Sequence, residues 1–193
     1  MSAPDAPRDP RAPSFGSRMR QRLGQLIVDN AYTGLSNLGR LHPSARPQRH
    51  GIEILRNIPY QAAHPGDGSA HLLDVYRPLP EPFSERRYEA PFPTVLYIHG
   101  GAFRILSKDT HWVMALAFAR RGFLVFSINY RLAPRHPFPA ALQDAAAALQ
   151  FVCQKAGNYQ GDLRRLVLAG ESAGANLVTA LSLLSLLPQE APW

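Results

Sequence analysis

Between residues 94 and 187 two kinds of apolar pattern alternate. Short continuous runs, Thr94-Val-Leu-Tyr-Ile98, Phe123-Leu-Val-Phe-Ser-Ile128 and Leu166-Val-Leu-Ala169, read as core strands. Around them, apolar residues recur at helical spacing. One helix runs through Trp112, Val113, Leu116 and Phe118 to Arg121, with Ser107 or Asp109 as its cap and Gly122 as its stop. A second spans 140–155, with Leu142, Ala145, Leu149 and Val152 on one face, and ends at Gly157. A third, 173–187, is apolar on nearly every side and stops at Pro188. Strands separated by helices of this length predict parallel pairing through crossovers, an α/β fold. Upstream, 51–58 and 72–76 read as two further strands, about five in all, with the turn-forming His64-Pro-Gly-Asp-Gly-Ser69 between them.

The first part of the chain is patterned differently. Residues 1–15 are rich in Pro, Ala, Asp and Arg, a composition that predicts a disordered tail. From 17 to 41, Met19, Leu23, Leu26, Ile27, Ala31, Leu35 and Leu38 fall at three- and four-residue steps, an amphipathic helix within a segment 16–45. Its apolar face must dock. Packing onto the domain is the plain expectation; a lid over an apolar site and a helix on a lipid surface are the others. Residues 78–93 read as a Pro- and charge-rich loop.

Composition adds limits. The 193 residues suffice for one core. The net charge of +7 comes almost wholly from Arg, but the arginines are scattered without interleaved aromatics, so a solvated basic surface is expected and no nucleic-acid partner. Cys153 is the single cysteine. It excludes an internal disulfide, fits a reducing, cytoplasmic setting, and in its apolar helical run reads as a buried thiol. The seven histidines have no metal-ligand spacing, so no metal site is expected. Helix 173–187 is too short for a membrane span, and the N-terminus lacks the apolar core of a signal peptide.

The candidate chemistry lies in two short motifs, each after a core strand. Gly170-Glu-Ser-Ala-Gly174 stands between a strand and a helix, the context of a nucleophile elbow, which lifts a serine hydroxyl off the end of a sheet. Ser172 is the candidate nucleophile; a small polar residue in a tight turn is the alternative. The Ala173 N–H begins a helix and is free to donate to an oxyanion. His99-Gly-Gly-Ala-Phe103 follows the strand 94–98, and Gly100 and Gly101 let its backbone donors turn inward. His99 reads as a brace for this loop rather than a base.

With a third segment, Tyr130-Arg-Leu-Ala-Pro-Arg-His-Pro-Phe-Pro-Ala140, these motifs resemble the hormone-sensitive-lipase-type esterases of the α/β-hydrolase superfamily, over about residues 50–190. The resemblance implies a mostly parallel sheet whose second strand is antiparallel, and makes 16–45 cap-like and 50–193 the N-terminal portion of a hydrolase domain. It also implies oxyanion N–H groups at Gly100, Gly101 and Ala173, and hydrolysis of small carboxylic esters without a cofactor. Arylformamidases share a similar glycine loop and are a neighbouring possibility. Three positions depart from the pattern or invite comment. Ala102 stands where the family usually has a third glycine, and Arg135 where it usually has Glu, with either a lost partner for Arg131 or a neutral exposed change as the consequence. Asp144 matches an acidic position and reads as a helix-surface or capping residue.

The largest departure follows the nucleophile. In such enzymes the acid and the histidine come after the serine. Here Glu190 is the sole carboxylate beyond Ser172, and no histidine follows it. His99 and His136 both read as structural. A conventional triad is therefore not expected within this chain, and the expectation is an N-terminal piece of an enzyme roughly 1.5 to 2 times as long. The strand 166–169 would then have a bare edge and helix 173–187 a bare flank. Three functions stay open: an ester hydrolase whose acid and base lie elsewhere, a non-catalytic fragment or ligand-binding relative, and an interaction module acting through the basic N-terminal helix.

Overall fold

The computed structural model describes residues 15–62, 66–79 and 89–186. The predicted tail, most of the 78–93 loop, part of the 64–69 turn and Glu190 lie outside the described residues.

Five strands form one mixed sheet in the order β1-β2-β4-β3-β5. β1 (Ile52–Pro59) and β2 (Leu72–Pro78) pair antiparallel, and β2 is also antiparallel to β4 (Leu124–Ile128). β3 (Phe92–Ile98) runs parallel to β4 on one side and to β5 (Gly161–Gly170) on the other. The second strand is thus antiparallel, as the resemblance implies. β3 and β4 are nearly continuous in apolar side chains because both of their edges are paired and both faces are covered. Between β3 and β4 runs α2 (Trp112–Ala119); between β4 and β5 runs α3 (Ala140–Lys155); α4 (Ala173–Leu186) follows β5. The first crossover moves outward from β3 and the second returns past it to β5. Right-handed crossovers then put α2 on one face of the sheet and α3 on the other, beside α4. The reversal also opens a crevice beyond the carboxyl ends of β3 and β5, where open α/β sheets bind ligands.

Several expectations change. β5 starts earlier than the apolar run suggests; it has the bare edge expected of it, with Leu163 and Val167 exposed, and among the described residues only β3 pairs with it. α4 buries Leu177 and Leu181 and leaves Leu183 and Leu186 in solvent, the bare flank expected of it. Cys153 is exposed: α3 buries Leu142, Ala145, Ala148 and Val152, and position 153 turns away from that face. Ser107 caps a separate turn, its carbonyl accepting from the Thr110 N–H (3.1 Å) and hydroxyl (2.7 Å), while α2 starts later without a side-chain cap. Asp144 is fully buried in α3 rather than on its surface. It binds the Arg131 guanidinium (Nη2–Oδ1 2.7 Å) and backbone N–H (2.7 Å), whereas Arg135 is exposed.

The N-terminal helix forms, but not as its pattern suggests. α1 (Phe15–Arg40) docks through a polar face. Asp29 Oδ1 accepts from the Leu106 N–H (3.2 Å), Tyr32 stacks on His111, Ser36 Oγ accepts from Trp112 Nε1 (2.8 Å), and Arg40 donates to the Asp109 carbonyl (2.7 Å) and lies over the Trp112 ring. The apolar stripe faces away: Leu23, Ile27 and Leu38 are 58%, 60% and 64% exposed. No described helix is long and apolar enough to cross a membrane.

Candidate active site

The β3–β5 register sets the site. Ile98 lies beside Gly170, so the 99–103 loop and the 170–174 turn leave neighbouring parallel strands at the same level. They meet closely. A Cβ placed on Gly100 would lie 3.0 Å from the Glu171 carbonyl oxygen and 3.4 Å from Ser172 Cβ. On Gly170 it would lie 2.6 Å from the Gly174 carbonyl carbon, and on Gly174 it would run into the Ile98 and His99 carbonyls. Backbone atoms cannot rotate aside, so 170 and 174 must be glycine for the turn to close over β3.

At the apex, Ser172 takes φ = +51°, the left-handed region that L-residues enter at a cost. Its carbonyl accepts from the Asn176 N–H and from Asn176 Nδ2, both at 3.1 Å, and its side chain is solvent-exposed. Among the described residues, the N–H groups of Gly100, Gly101 and Ala173 have no acceptor. An exposed serine on a strained backbone therefore stands close to Gly100 and next to the Ala173 N–H, both N–H groups unused, at a helix N-terminus whose dipole favours negative charge.

The glycine loop is held from behind by rings. His99 is buried, stacks on Tyr130 (4.4 Å between centroids), and hydrogen-bonds through Nδ1 to the Gly100 carbonyl (2.6 Å). Tyr130 donates to the His99 carbonyl (3.0 Å). Burial pushes the His99 pKa down to about 3, against the opposing effect of the Gly100 hydrogen bond, which keeps the ring neutral. On its other side stands His111 (5.5 Å), whose Nε2 lies 2.7 Å from Glu171 Oε1, and Tyr97 donates to the same oxygen (3.2 Å). Burial first, and then the Glu171 charge, raises the Tyr97 pKa. The sequence reading missed His111 and Tyr97, whose only signal was a pair of polar groups amid apolar runs. The Tyr130–Ala140 segment joins the same assembly through Ala133 N–H to Phe103 O (2.8 Å). His136 lies 3.8 Å from Asp67 and lines the cavity beside Ala102 and Phe103 of the glycine loop.

Ala102 and Phe103 also take positive φ, +52° and +61°, where a glycine would be unstrained. Two open cavities flank the turn. One, about 550 Å³, lies between α1 and α2 and reaches Glu171; the other, about 580 Å³, lies between the glycine loop, α3 and α4 and reaches Asn176. Among the described residues no histidine hydrogen-bonds to the Ser172 hydroxyl, and no cluster fit to hold a metal occurs.

A sheet with this crossover reversal, a serine turn and a glycine loop at its carboxyl end defines an α/β hydrolase. The family profile of the alpha/beta hydrolase fold matches residues 95–190, and the chain belongs to this family, in its hormone-sensitive-lipase-type esterase branch. Esterase LipI of Mycobacterium tuberculosis is 36% identical over 145 residues, 68% of this chain and 44% of that protein. Carboxylesterase NlhH of the same species is 42% identical over 94 residues, 48% of this chain and 30% of its own length. Among solved structures, esterase LipW from Mycobacterium marinum superposes with a TM-score of 0.63 at 30% identity, over 81% of this chain and 45% of that one. The chain spans less than half the length of each of these relatives.

Proposed function

We propose that this chain carries the nucleophile and oxyanion cradle of a serine-dependent carboxylic ester hydrolase. Ser172 Oγ attacks the ester carbonyl and forms a tetrahedral adduct. Its oxyanion accepts hydrogen bonds from Gly100, Gly101 and Ala173 N–H, and collapse expels the alcohol and leaves an acyl-serine that water then cleaves. The serine proton must pass to a base, and no described residue offers one; the reading therefore assigns base and acid to residues outside this chain. The neutral His99 serves the loop, not the proton transfer. The observation that carries this reading is the contact of Gly100 with Ser172 beside unused amides. The names of the relatives, esterases and carboxylesterases, support a small ester as substrate.

The test is covalent. A fluorophosphonate ester should label the chain once, mass spectrometry should map the adduct to Ser172, and added imidazole, a diffusible base, should speed the labelling. Ser172→Ala should abolish it. Labelling that persists in Ser172→Ala, or fails at all imidazole concentrations in folded protein, would refute the assignment. The absent base also favours a second reading of the isolated 193 residues, a ligand-binding relative that does not turn over. Adduct formation without sustained hydrolysis separates nucleophile from catalyst.

A further inference from the structure

We infer that the outward face of α1 is a docking surface for an anionic lipid bilayer, on which the helix lies without crossing it. The inference is independent of the hydrolase reading and rests on how α1 is mounted. An amphipathic helix on a protein normally turns its apolar side inward. Here Asp29, Tyr32, Ser36, Gly39 and Arg40 form the mounted side, and polar contacts and rings hold it to the 106–112 segment. At about 100° per residue, the stripe of Met19, Leu23, Leu26, Ile27 and Leu38 is centred roughly 150° from that side, facing solvent.

Charge selects the occupant. Residues 15–50 contain six arginines, at 18, 20, 22, 40, 46 and 49, against one carboxylate, Asp29, which is already engaged with Leu106. Most of the chain's +7 thus lies within residues 15–50; the exposed Arg20 shares the stripe's sector of the helix, while Arg40 is engaged on the mounted side. A second copy of the chain would bring arginine against arginine. An anionic bilayer satisfies both features: acyl chains take the leucine stripe, and headgroup phosphates take the guanidinium groups.

The test is flotation of the 193-residue chain with vesicles of phosphatidylcholine alone or mixed with phosphatidylglycerol. Binding should appear with the mixed vesicles, and raising salt from about 0.05 to 0.5 M should weaken it at least tenfold. The double variant Leu23→Asp/Ile27→Asp should lose at least tenfold in partitioning at an unchanged melting temperature, because both side chains are in solvent. Arg20→Glu should weaken the preference for the anionic lipid. No binding to mixed vesicles would overturn the inference. Binding that survives the double variant would reduce it to charge alone and overturn the apolar part. A dimer that the double variant dissolves, without vesicle binding, would assign the stripe to a second copy instead.

Discussion

Removing the Asp144 carboxylate should weaken the fold and loosen the candidate site together. Asp144 is fully buried and binds Arg131 at the backbone N–H (2.7 Å), Nε (2.9 Å) and Nη2 (2.7 Å), with His71 Nε2 at 3.3 Å. Asp144→Ala takes away the carboxylate hydrogen-bonded to the Arg131 guanidinium and leaves the Arg131 N–H without that acceptor. Breaking a buried pair from one side costs about 3–5 kcal/mol. Arg131 is about a fifth exposed and can swing toward water, which favours the lower end, about 3 kcal/mol. At this length that lowers the melting temperature by about 6–12 °C, a large fraction of a typical domain's stability. Asp144→Asn keeps the oxygen acceptor without the charge and should fall between. Arg131 lies in the segment tied to Phe103 through Ala133, so fluorophosphonate labelling of Ser172 should also slow in Asp144→Ala below its melting point. Circular dichroism melts and a urea titration measure the first effect, and labelling kinetics the second. A melting temperature within about 2 °C of the parent would refute the claim that this pair fixes the segment.

The remaining predictions concern the site itself. His99 is neutral in the fold, with its pKa pushed down to about 3 by burial, while an unfolded histidine takes up a proton near about 6.5. The unfolded chain therefore binds more protons between these values: the stability is intact above about pH 6.5 and is lost as the pH falls toward 3, by up to ~1.4 kcal/mol per unit. Urea midpoints measured across this range should be flatter in His99→Asn than in the parent; equal slopes would contradict the buried neutral ring. Ala102→Gly relieves a left-handed alanine and should raise stability by about 0.5–1 kcal/mol in chemical denaturation. His111→Ala leaves Tyr97 as the remaining described partner of the Glu171 carboxylate and should slow Ser172 labelling about tenfold, with partial rescue by His111→Gln, which can still donate a hydrogen bond. Gly174→Ala, which drives a methyl into two carbonyls, should cost at least about 3 kcal/mol, read as a lost or much lowered melting transition.

The strands and helices were legible because each long apolar run has one period. β3 and β4 are continuous runs, α3 a helical one, and all three lie within a residue or two of their expected ends. The two catalytic-looking loops were legible because glycine is forced where backbones cross, and the structure brings Gly100 against Ser172. Polar burial was not legible. Asp144 reads as a surface acid until its helix is placed against Arg131, and Lys108, buried against Asp74 at 2.9 Å, lies between the two residues that read as a helix cap. Such pairs depend on contacts far apart in sequence, which local pattern does not encode. α1 misled for the same reason. Its period gave the helix correctly, but an apolar stripe does not state which side faces the domain, and specific polar contacts to Leu106, His111, Trp112 and Asp109 decided it.

The central claim is that position 172 is held where negative charge is stabilised. A thiol at that position tests it without any base, because the thiolate is the reactive form and a helix N-terminus favours it. In Ser172→Cys, the exposed Cys153 on α3 serves as a reference in the same molecule. Peptide-resolved alkylation with iodoacetamide as the pH is lowered from about 9 to 7 should show position 172 outpacing Cys153, with the ratio rising at least tenfold toward the lower pH. A constant ratio, or a thiol at 172 that reacts more slowly than Cys153 throughout, would contradict the account.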